Sequence, residues 1–451
     1  MKGRRGDVKD AQGYPLTTSS QDAALLYGVA QQNLLEYRLA TMQSIKDTIQ
    51  ADPHFAMAHC LRGYQFMMYG SFSVLNNAKS ALRAAAAEAA GATERERMHI
   101  EALRAWTEGR TGKAITVWEQ LLSAYPLDIV ALRMHHFNCF WTGRQHSLRG
   151  GAASVLDRWP QEMPGYGNVL GMLAFGYEEC GQYREAERFG RLAVQHNPND
   201  LWALHAVAHV LEMEDRQQEG IDWLTRPENH WSDRNPFKGH LWWHLALFHL
   251  ESGHYEQVLD LYDRSVRNDG STFYLDIQNA ASLLARLELL GIDVGSRWAQ
   301  LADFAEQSIG DHGLIFTDLH YMMALAKEHR FEAAERLLAS MEDFAAQDSG
   351  DSAAVVRAIG LPLCRGILRF EQGDYPGAVD EFAPLHNNDA PIGASHAQRD
   401  IIDQYLIEAT RRASNLPRTR MLLAERVALR PRNKAAVERH MDVTRQIYRT
   451  A

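Results

Sequence analysis

The chain has 451 residues, of which 46% are hydrophobic and 23% charged, as in folded proteins that dissolve in water. This length is large for one compact domain and suits either several domains or one elongated array. The net charge of −10 argues against general binding of nucleic acid or anionic membranes, because both need a basic surface.

The sequence carries no sign of a membrane span or of a secretory signal. No stretch approaches about 18 uninterrupted apolar residues, and the charged start MKGRRGDVKD has no apolar core behind it. The cysteines are too widely spaced for a disulfide framework or a thiolate zinc site, which predicts reduced thiols and a cytoplasmic protein. They are Cys60, Cys139, Cys180 and Cys364.

Helical segments rich in Ala, Leu, Glu and Arg recur along the chain, whereas strand patterns are nearly absent. The segment GQYREAERFGRLAVQHNPND (181–200) is typical. Gly181 follows a tight turn, Ala186 and Ala193 allow close helix approach, and Pro198 ends the helix because it cannot donate the next hydrogen bond. This pattern resembles the second half of a tetratricopeptide repeat.

The same turn recurs at intervals of 34 to 44 residues, close to the ~34 of a pure tetratricopeptide array. The turn residues are Gly109, Gly143, Gly181, Asp215, Gly253, Gly291, His329 and Gly373. Helix pairs at this spacing cannot bury their apolar faces alone, so they stack into one continuous core. We therefore predict an all-α fold, a right-handed α-solenoid of roughly ten tetratricopeptide-like helix pairs over residues 21–451.

Three segments are expected outside the helix pairs. Residues 1–20 are predicted to form an extended N-terminal arm. The stretches 344–354 (FAAQDSGDSAA) and 385–397 (LHNNDAPIGASHA) are predicted to be long loops, because the first is small and polar and the second clusters Asn, Pro and Gly.

Phrases distributed over nearly the whole chain resemble the tetratricopeptide repeat protein 38 family. They include GYPLTTSSQDAA, DPHFAMAHCLRGY, HAVAHVLEMEDRQQEGIDWL, GHLWWHLALFHLESGHYEQVLDLYD, GLPLCRGILRFEQGDYPGAV and IGASHAQRD. The resemblance implies an all-α repeat fold. It carries no activity and no catalytic residue over to this chain.

The run LHAVAHVLEMED (204–215) places two histidines four residues apart in an otherwise apolar helix. Residues of a helix advance about 100° each, so Trp202, His205, His209 and Glu212 share one stripe. A helix that is apolar on most sides is largely buried, and its polar stripe faces a groove, a cavity or a partner.

The next first helix, in GHLWWHLALFHLE, repeats the arrangement with His240 and His244. First helices of neighbouring repeats lie side by side on the concave face of such arrays, so the four histidines are predicted to share one patch. Other first helices contribute His, Asp, Asn and Arg. The complete candidate ligand-binding set is Trp202, His205, His209, Glu212, His240, His244, His136, Asp276, Asp318, His320, His396 and Arg399.

Three interpretations of these histidines remain open. They are hydrogen-bonded core residues, the lining of a groove for a peptide or small molecule, or the ligands and acid–base groups of an enzyme. His-x-x-x-His pairs have metal-binding spacing, but His-Glu-x-x-His and the common nucleophile and phosphate motifs are absent. We predict a binding or scaffold protein, with catalysis as the alternative, and assign no catalytic residue, metal or cofactor.

The accessibility of the groove separates these interpretations. An open groove along several repeats would favour a peptide. Capping by the N-terminal arm or by 385–397 would favour a small ligand, and a closed pocket of histidines and acids would favour an enzyme. The sequence defines no oligomeric state.

Overall fold

The computed structural model describes residues 8–227, 230–267, 270–347 and 350–450. The regular elements in these ranges are helices, and extended pairing is confined to two isolated bridges, Lys9–Pro15 and Arg38–Arg234. The all-α class is confirmed. Within the same ranges, no helix combines the length and apolarity needed to cross a membrane.

The chain divides into two compact units. Unit 1 comprises Met1–Val207, Asn229–Lys238 and Ser349–Ser352, and unit 2 comprises Ala208–Glu228, Gly239–Asp348 and Ala353–Ala451. Up to the first boundary, which falls inside α11, the helices are α1 (Gln21–Leu35), α2 (Thr41–Ala51), α3 (Ala56–Met67), α4 (Leu75–Ala87), α5 (Glu94–Thr107), α6 (Thr111–Ala124), α7 (Ile129–Trp141), α8 (Gln145–Ala153), α9 (Tyr166–Glu179), α10 (Tyr183–His196) and α11 (Leu201–Met213).

The later helices are α12 (Gln217–Leu224), α13 (Phe237–Glu251), α14 (Tyr255–Leu261), α15 (Tyr274–Leu289), α16 (Trp298–Gln307), α17 (Ile315–Lys327), α18 (Phe331–Gln347), α19 (Asp351–Val355), α20 (Leu361–Glu371), α21 (Tyr375–Phe382), α22 (His396–Arg412), α23 (Leu416–Leu429) and α24 (Lys434–Thr450). Short π-helical segments cover Tyr262–Val266 and Val356–Gly360. Short 3₁₀ turns cover Phe72–Val74, Ala89–Gly91, Leu156–Arg158, Gly295–Arg297, Ala383–Leu385 and Ala390–Ile392.

Both units are built from antiparallel helix pairs. In unit 1, α1 packs on α2, α3 on α4, α5 on α6 and α9 on α10, and the first helices α3 and α5 also pack side by side. In unit 2, the first helices α15, α17 and α20 pack in succession, with α18 and α21 behind them. This pairing is the tetratricopeptide-like solenoid class predicted from the sequence.

Unit 2 has packing beyond that between consecutive pairs. Helix α22 contacts α15 as well as α20 and α21. At the end of α23, Arg430 pairs with Asp215 just after α11, with Nη2 2.7 Å from the carboxylate. Side chains that face inward from these helices are therefore enclosed within the unit.

All eight predicted turn residues have left-handed backbone conformations, with φ from 54° at His329 to 84° at Gly373. At Gly109 the turn closes by two hydrogen bonds, Gly109 N to Trp106 O at 3.0 Å and Arg110 N to Ala105 O at 2.9 Å. This double closure caps the carboxyl end of the first helix and requires φ > 0, which glycine adopts without a Cβ penalty.

His329 is an exposed non-glycine residue in this strained conformation. We expect His329→Gly to raise the free energy of unfolding by about 0.5–1 kcal/mol, because relief of the strain exceeds the added entropy of the unfolded chain. Gly253→Ala should lower it by about 1 kcal/mol, since space for a Cβ is open there and only the backbone angle opposes it. Urea unfolding measures both, and a destabilised His329→Gly would contradict the argument.

The segments expected outside the helix pairs have different outcomes. The long loop predicted at 344–354 is wrong, because α18 continues through Gln347 and α19 begins at Asp351. Small residues such as Ala345 and Ala353 pack there as buried helical positions. Within the predicted stretch 385–397, residues 386–395 do form a connection, which contains the short turn Ala390–Ile392, whereas Leu385 ends another short turn and His396 and Ala397 begin α22.

The first seven residues of the predicted N-terminal arm lie outside the described ranges. Residues 8–20 make polar contacts with α5. The Asp10 carboxylate lies 2.8 Å from Arg95 Nη2, and Thr17 N donates to Glu96 at 3.0 Å. The buried Val8 and Leu16 add apolar contact area to this part of unit 1.

Candidate functional site

Three predicted site residues lie in unit 1, inside an aromatic core. Trp202 Nε1 donates to His136 Nε2 at 3.0 Å. The His205 ring stacks on Phe175, with centroids 5.2 Å apart and planes at 26°. The Arg133 guanidinium lies 5.4 Å from the centre of the Trp202 ring. All are buried, and their contacts are those of side chains that fix helix packing.

Unit 2 brings together three of the predicted histidines. His209 of α11 and His244 of α13 have ring centroids 4.5 Å apart, and His240 lies 4.8 Å from His244. Their exposed fractions are 0% for His209, 2% for His240 and 0% for His244. The i, i+4 spacing of His240 and His244 puts them on one face of α13, where His209 meets them. These histidines are therefore enclosed rather than displayed on an open surface.

His240 and His244 of α13 each have a polar partner on a neighbouring helix. His240 Nδ1 donates to Asn279 Oδ1 on α15 at 2.8 Å. His244 Nδ1 donates to the Glu212 carboxylate on α11 at 3.0 Å. The sequence predicted both Glu212 and the two histidines as one site, and Asn279, a polar residue of another first helix that the final candidate set left out, contacts His240. In the neutral tautomer that these hydrogen bonds favour, Nδ1 carries the proton and Nε2 does not.

Burial dominates the electrostatics around these residues. It lowers the pKa of His240 well below its ordinary value, and the neighbouring His244 adds to that effect. It raises the pKa of Glu212, which Arg430 and His209 oppose. His240 is therefore uncharged at neutral pH and able to act as a hydrogen-bond acceptor or a ligand.

A buried arginine, absent from the predicted set, anchors α22 beside this cluster. Arg286 Nη2 donates to the Ala397 carbonyl at 2.8 Å, and its guanidinium lies 5.5 Å from the centre of the Trp243 ring. Trp243 in turn stacks on His240, with centroids 5.0 Å apart. Arg286 follows Asn279 by seven residues, so the helical period already placed both on one face of α15.

The remaining predicted residues of unit 2 make mainly local contacts. Asp318 pairs with His312 at 3.0 Å, and burial raises the Asp318 pKa to about 6. His320 Nδ1 donates to Phe316 O at 2.7 Å, and burial lowers the His320 pKa to about 4.

The last two predicted residues of unit 2 are Arg399 and Asp276. Arg399 Nη1 donates to the Gly393 carbonyl at 3.3 Å and so holds the connection before α22. Asp276 is buried in the first turn of α15.

A cavity of ≈ 140 Å³ lies in unit 2 beside the histidine cluster. Its lining combines charged groups of both signs with apolar side chains and includes residues of the 385–397 connection. The lining residues are Glu212, Met213, His386, Asn387, His396, Ala397, Asp400, Asp403, Ile407, Leu422, Glu425, Arg426, Leu429 and Arg430. Glu212 thus contacts both the cavity and His244, and His396 lies 6.0 Å from His209 between ring centroids.

Ion pairs organise the charged part of this lining. Asp400 accepts from Arg426, with Nη2 at 3.1 Å, and burial alone would raise its pKa, but Arg426 outweighs burial and holds it well below the usual range. His386 bridges two helices, with Nδ1 3.0 Å from Asp403 on α22 and Nε2 2.9 Å from Glu425 on α23. The connection is therefore fastened over the cavity by charged contacts.

The hydrogen bond to Asp403, with help from Glu425, raises the His386 pKa to about 9. The stability that this histidine contributes is complete below its unfolded pKa near 6.5 and is lost as pH rises through about 9. The free energy of unfolding of the wild type should exceed that of His386→Gln at low pH, and we expect this difference to shrink over the window. The change should be at most about 1 kcal/mol, because the pairs are partly exposed to water. Urea unfolding across pH measures it. A difference that rises with pH would contradict the assignment, and His54→Gln serves as the exposed control.

No known protein-family model matches the chain. Among solved structures, it is similar to the APC/C hetero-tetramer Cut9–Hcn1 (11% identity, 98% of this chain and 79% of that chain, TM-score 0.41). It is also similar to the human IFIT1 dimer with m7Gppp-AAAA (14%, 93% and 95%, TM-score 0.37) and to yeast Tom70 (10%, 94% and 88%, TM-score 0.36). These are tetratricopeptide-repeat proteins, and likeness at this level carries no inference about ligands or partners.

Proposed function

We propose that the chain is a tetratricopeptide-type binding protein whose unit 2 holds a small polar molecule in the cavity beside the histidine cluster. The observation that carries this proposal is that the connection before α22 and the start of α22 form part of the cavity wall. His386 and Asn387 of the connection and His396 and Ala397 at the start of α22 all belong to its lining. A site covered in this way favours a small molecule over an extended peptide.

The size of the cavity limits the ligand. A cavity of ~150 Å³ accommodates a molecule such as benzene, so ≈ 140 Å³ suits a ligand of about six to ten non-hydrogen atoms. The apolar Ile407 and Leu422 provide contact area, and the charged groups provide orientation.

The charges of the lining indicate the chemical class. Acidic groups (Glu212, Asp400) share the lining with basic ones (Arg426, Arg430), and Asp400 pairs with Arg426. A molecule with a single charge would face a group of its own sign at this site, whereas a zwitterion can match both. We therefore infer an amino-acid-like zwitterion as the preferred ligand.

Four predictions from the sequence also form part of this proposal. They are the resemblance to the tetratricopeptide repeat protein 38 family, a single solenoid over 21–451, the candidate residue set as a ligand-binding region and a cytoplasmic location. The free state of Cys60, Cys139, Cys180 and Cys364 supports the last of these.

A thermal-shift panel tests the proposal with the full-length protein. The panel contains amino acids, the amines that lack their carboxylate and the carboxylic acids that lack their amine. We expect stabilisation by one or more amino acids and none by the matched singly charged compounds. A panel without any stabilising compound, or stabilisation by a long peptide alone, would contradict the proposal.

Two tryptophan variants on α23 locate the binding site. Leu429 lines the cavity yet is 72% exposed, so Leu429→Trp narrows the entrance without disturbing the core. Met421 is 57% exposed on the same helix and does not belong to the lining. We expect Leu429→Trp to weaken ligand affinity at least about tenfold and Met421→Trp to leave it unchanged, as measured by calorimetric titration.

Catalysis is the second candidate function, and one observation favours it. Glu212 touches both the cavity and His244, which is the arrangement of an acid–base pair next to a bound molecule. NMR spectra of the stabilising compound after long incubation with the protein separate the two functions. A binding protein leaves the compound intact, whereas an enzyme converts it.

A further inference from the structure

His209, His240 and His244 form a compact group of nitrogen ligands inside unit 2. Each offers one ring nitrogen, and these nitrogens lie within 4.8 Å of one another. Imidazole nitrogen is a preferred ligand of zinc and of other late divalent transition metals, and three histidines with one open position make a common zinc centre. The residue type, number and grouping therefore fit a metal ion.

The partners of the rings supply an independent argument. Histidine ligands of metals donate their other ring N–H to a carboxylate, an amide or a carbonyl, which fixes the tautomer. His244 Nδ1 donates to Glu212 at 3.0 Å, and His240 Nδ1 donates to Asn279 at 2.8 Å. In this tautomer Nε2 of each ring is unprotonated, as coordination of an ion by that nitrogen requires.

The helices hold these rings in place from outside the cluster. Trp243 stacks on His240 at 12° between planes, and the Arg286 guanidinium lies 5.5 Å from the centre of the Trp243 ring. Bond lengths of about 2.0–2.1 Å put the nitrogens of a tetrahedral zinc site about 3.3 Å apart. The ring nitrogens of the cluster, which lie within 4.8 Å of one another, are thus close to this spacing.

We propose that His209, His240 and His244 bind one divalent transition-metal ion, with zinc as the preferred ion, and that Glu212 and Asn279 orient two of the ligands. The site stands on the geometry of the cluster and does not depend on the ligand proposed for the cavity. Because Glu212 also lines the cavity, an ion at the cluster lies next to any molecule bound there.

The experiment uses tag-free, full-length protein stripped with a chelator and titrated with Zn²⁺ against a chromophoric competitor. We expect one tightly bound equivalent and a raised melting temperature, and Co²⁺ should give the visible bands of a low-symmetry site with nitrogen ligands. Absence of a tight equivalent for Zn²⁺ and Co²⁺, with melting temperatures unchanged, would overturn the proposal whatever the outcome of the small-molecule panel.

Matched variants assign the site. His240→Asn and His244→Asn keep a polar group near the Nδ1 position and remove Nε2, so each should abolish tight binding. Glu212→Gln should weaken affinity about 10–100-fold, because it removes the charge that orients His244. His320→Asn alters another fully buried histidine of unit 2 and should bind Zn²⁺ as wild type does.

Circular dichroism checks that each variant is folded. Wild-type affinity in both histidine variants would overturn the assignment. If either histidine variant fails to fold, the Co²⁺ spectrum of the wild type and the Zn²⁺ affinity of Glu212→Gln decide whether the site is assigned correctly. Bands of an all-oxygen site, or unchanged affinity in Glu212→Gln, would also count against it.

Discussion

Replacing Asp128 by asparagine should lower the free energy of unfolding by about 3–5 kcal/mol, the cost typical of breaking a buried ion pair by removing one partner. Asp128 caps α7 by accepting from Ala131 N at 2.9 Å. Its carboxylate also lies 2.9 Å from Arg95 Nη1 and 3.0 Å from His99 Nε2, all within the core of unit 1. Asparagine would place an N–H group beside these donors, and Asp10 would then be the one remaining acidic partner of Arg95 among those described.

The pH dependence of this loss has a defined sign. Burial alone would raise the pKa of Asp128, but His99 and Arg95 outweigh it and hold the pKa well below the usual range. The stability is therefore present above the unfolded value near 3.9 and is lost as pH falls. The difference between wild type and Asp128→Asn in urea unfolding should shrink in acid.

An exposed aspartate gives the control. Asp157 pairs with Arg158 at 3.6 Å, and both side chains are largely in water. Asp157→Asn should therefore change the unfolding free energy by less than about 0.5 kcal/mol. Equal effects of the two substitutions would contradict the importance assigned to the Asp128 network.

Replacing Trp243 by alanine should cost about 3–5 kcal/mol, since it leaves a large void in a close-packed core. Trp243 is fully buried, stacks on His240 and carries Arg286 over its ring. The same substitution frees the His240 ring to rotate, so we expect it to weaken binding at the histidine cluster as well. Thermal and urea unfolding give the stability change.

Trp243→Phe is the graded comparison. No hydrogen-bond partner of Trp243 Nε1 is found in the described part of the chain, so phenylalanine removes an unsatisfied buried donor together with some contact area. These effects oppose each other, and the cost should stay below about 1.5 kcal/mol. A loss as large as that of Trp243→Ala would indicate that Nε1 has a partner that stabilises the fold.

The repeat architecture was accessible from the sequence because its turns depend on local chemistry. A helix that ends in a left-handed residue favours glycine there, and the spacing of such residues marks the pairs. Even the non-glycine positions Asp215 and His329 could be located, because they fill the same place in the repeat. The 344–354 prediction failed because small residues suit a tightly packed helix as well as a loop.

The candidate site was only partly predictable. Helical periodicity placed His209 and Glu212 on one stripe and predicted that α13 would repeat it. The same stripe also contains His205, whose ring packs on Phe175 in unit 1. Periodicity places residues on one stripe of a helix, but it does not specify which side chains of neighbouring helices meet them.

Contacts that depend on the packing of distant helices could not be read from the sequence. Arg286 reaches Ala397, which is 111 residues later, only because α22 packs against α15. Arg430 meets Asp215 for a similar reason, at the end of α23. Because of these long-range contacts, the histidines of unit 2 that were predicted to line a groove are enclosed in the interior of the unit.

The most direct test of the central claim, that unit 2 binds a small molecule, is native mass spectrometry of the intact, tag-free chain equilibrated with the amino acids of the panel. We predict one bound molecule of about 75–150 Da, in keeping with the cavity volume. This excess mass should persist in Met421→Trp and disappear in Leu429→Trp. A native mass equal to that of the polypeptide under all these conditions, or one that Leu429→Trp leaves unchanged, would contradict the claim.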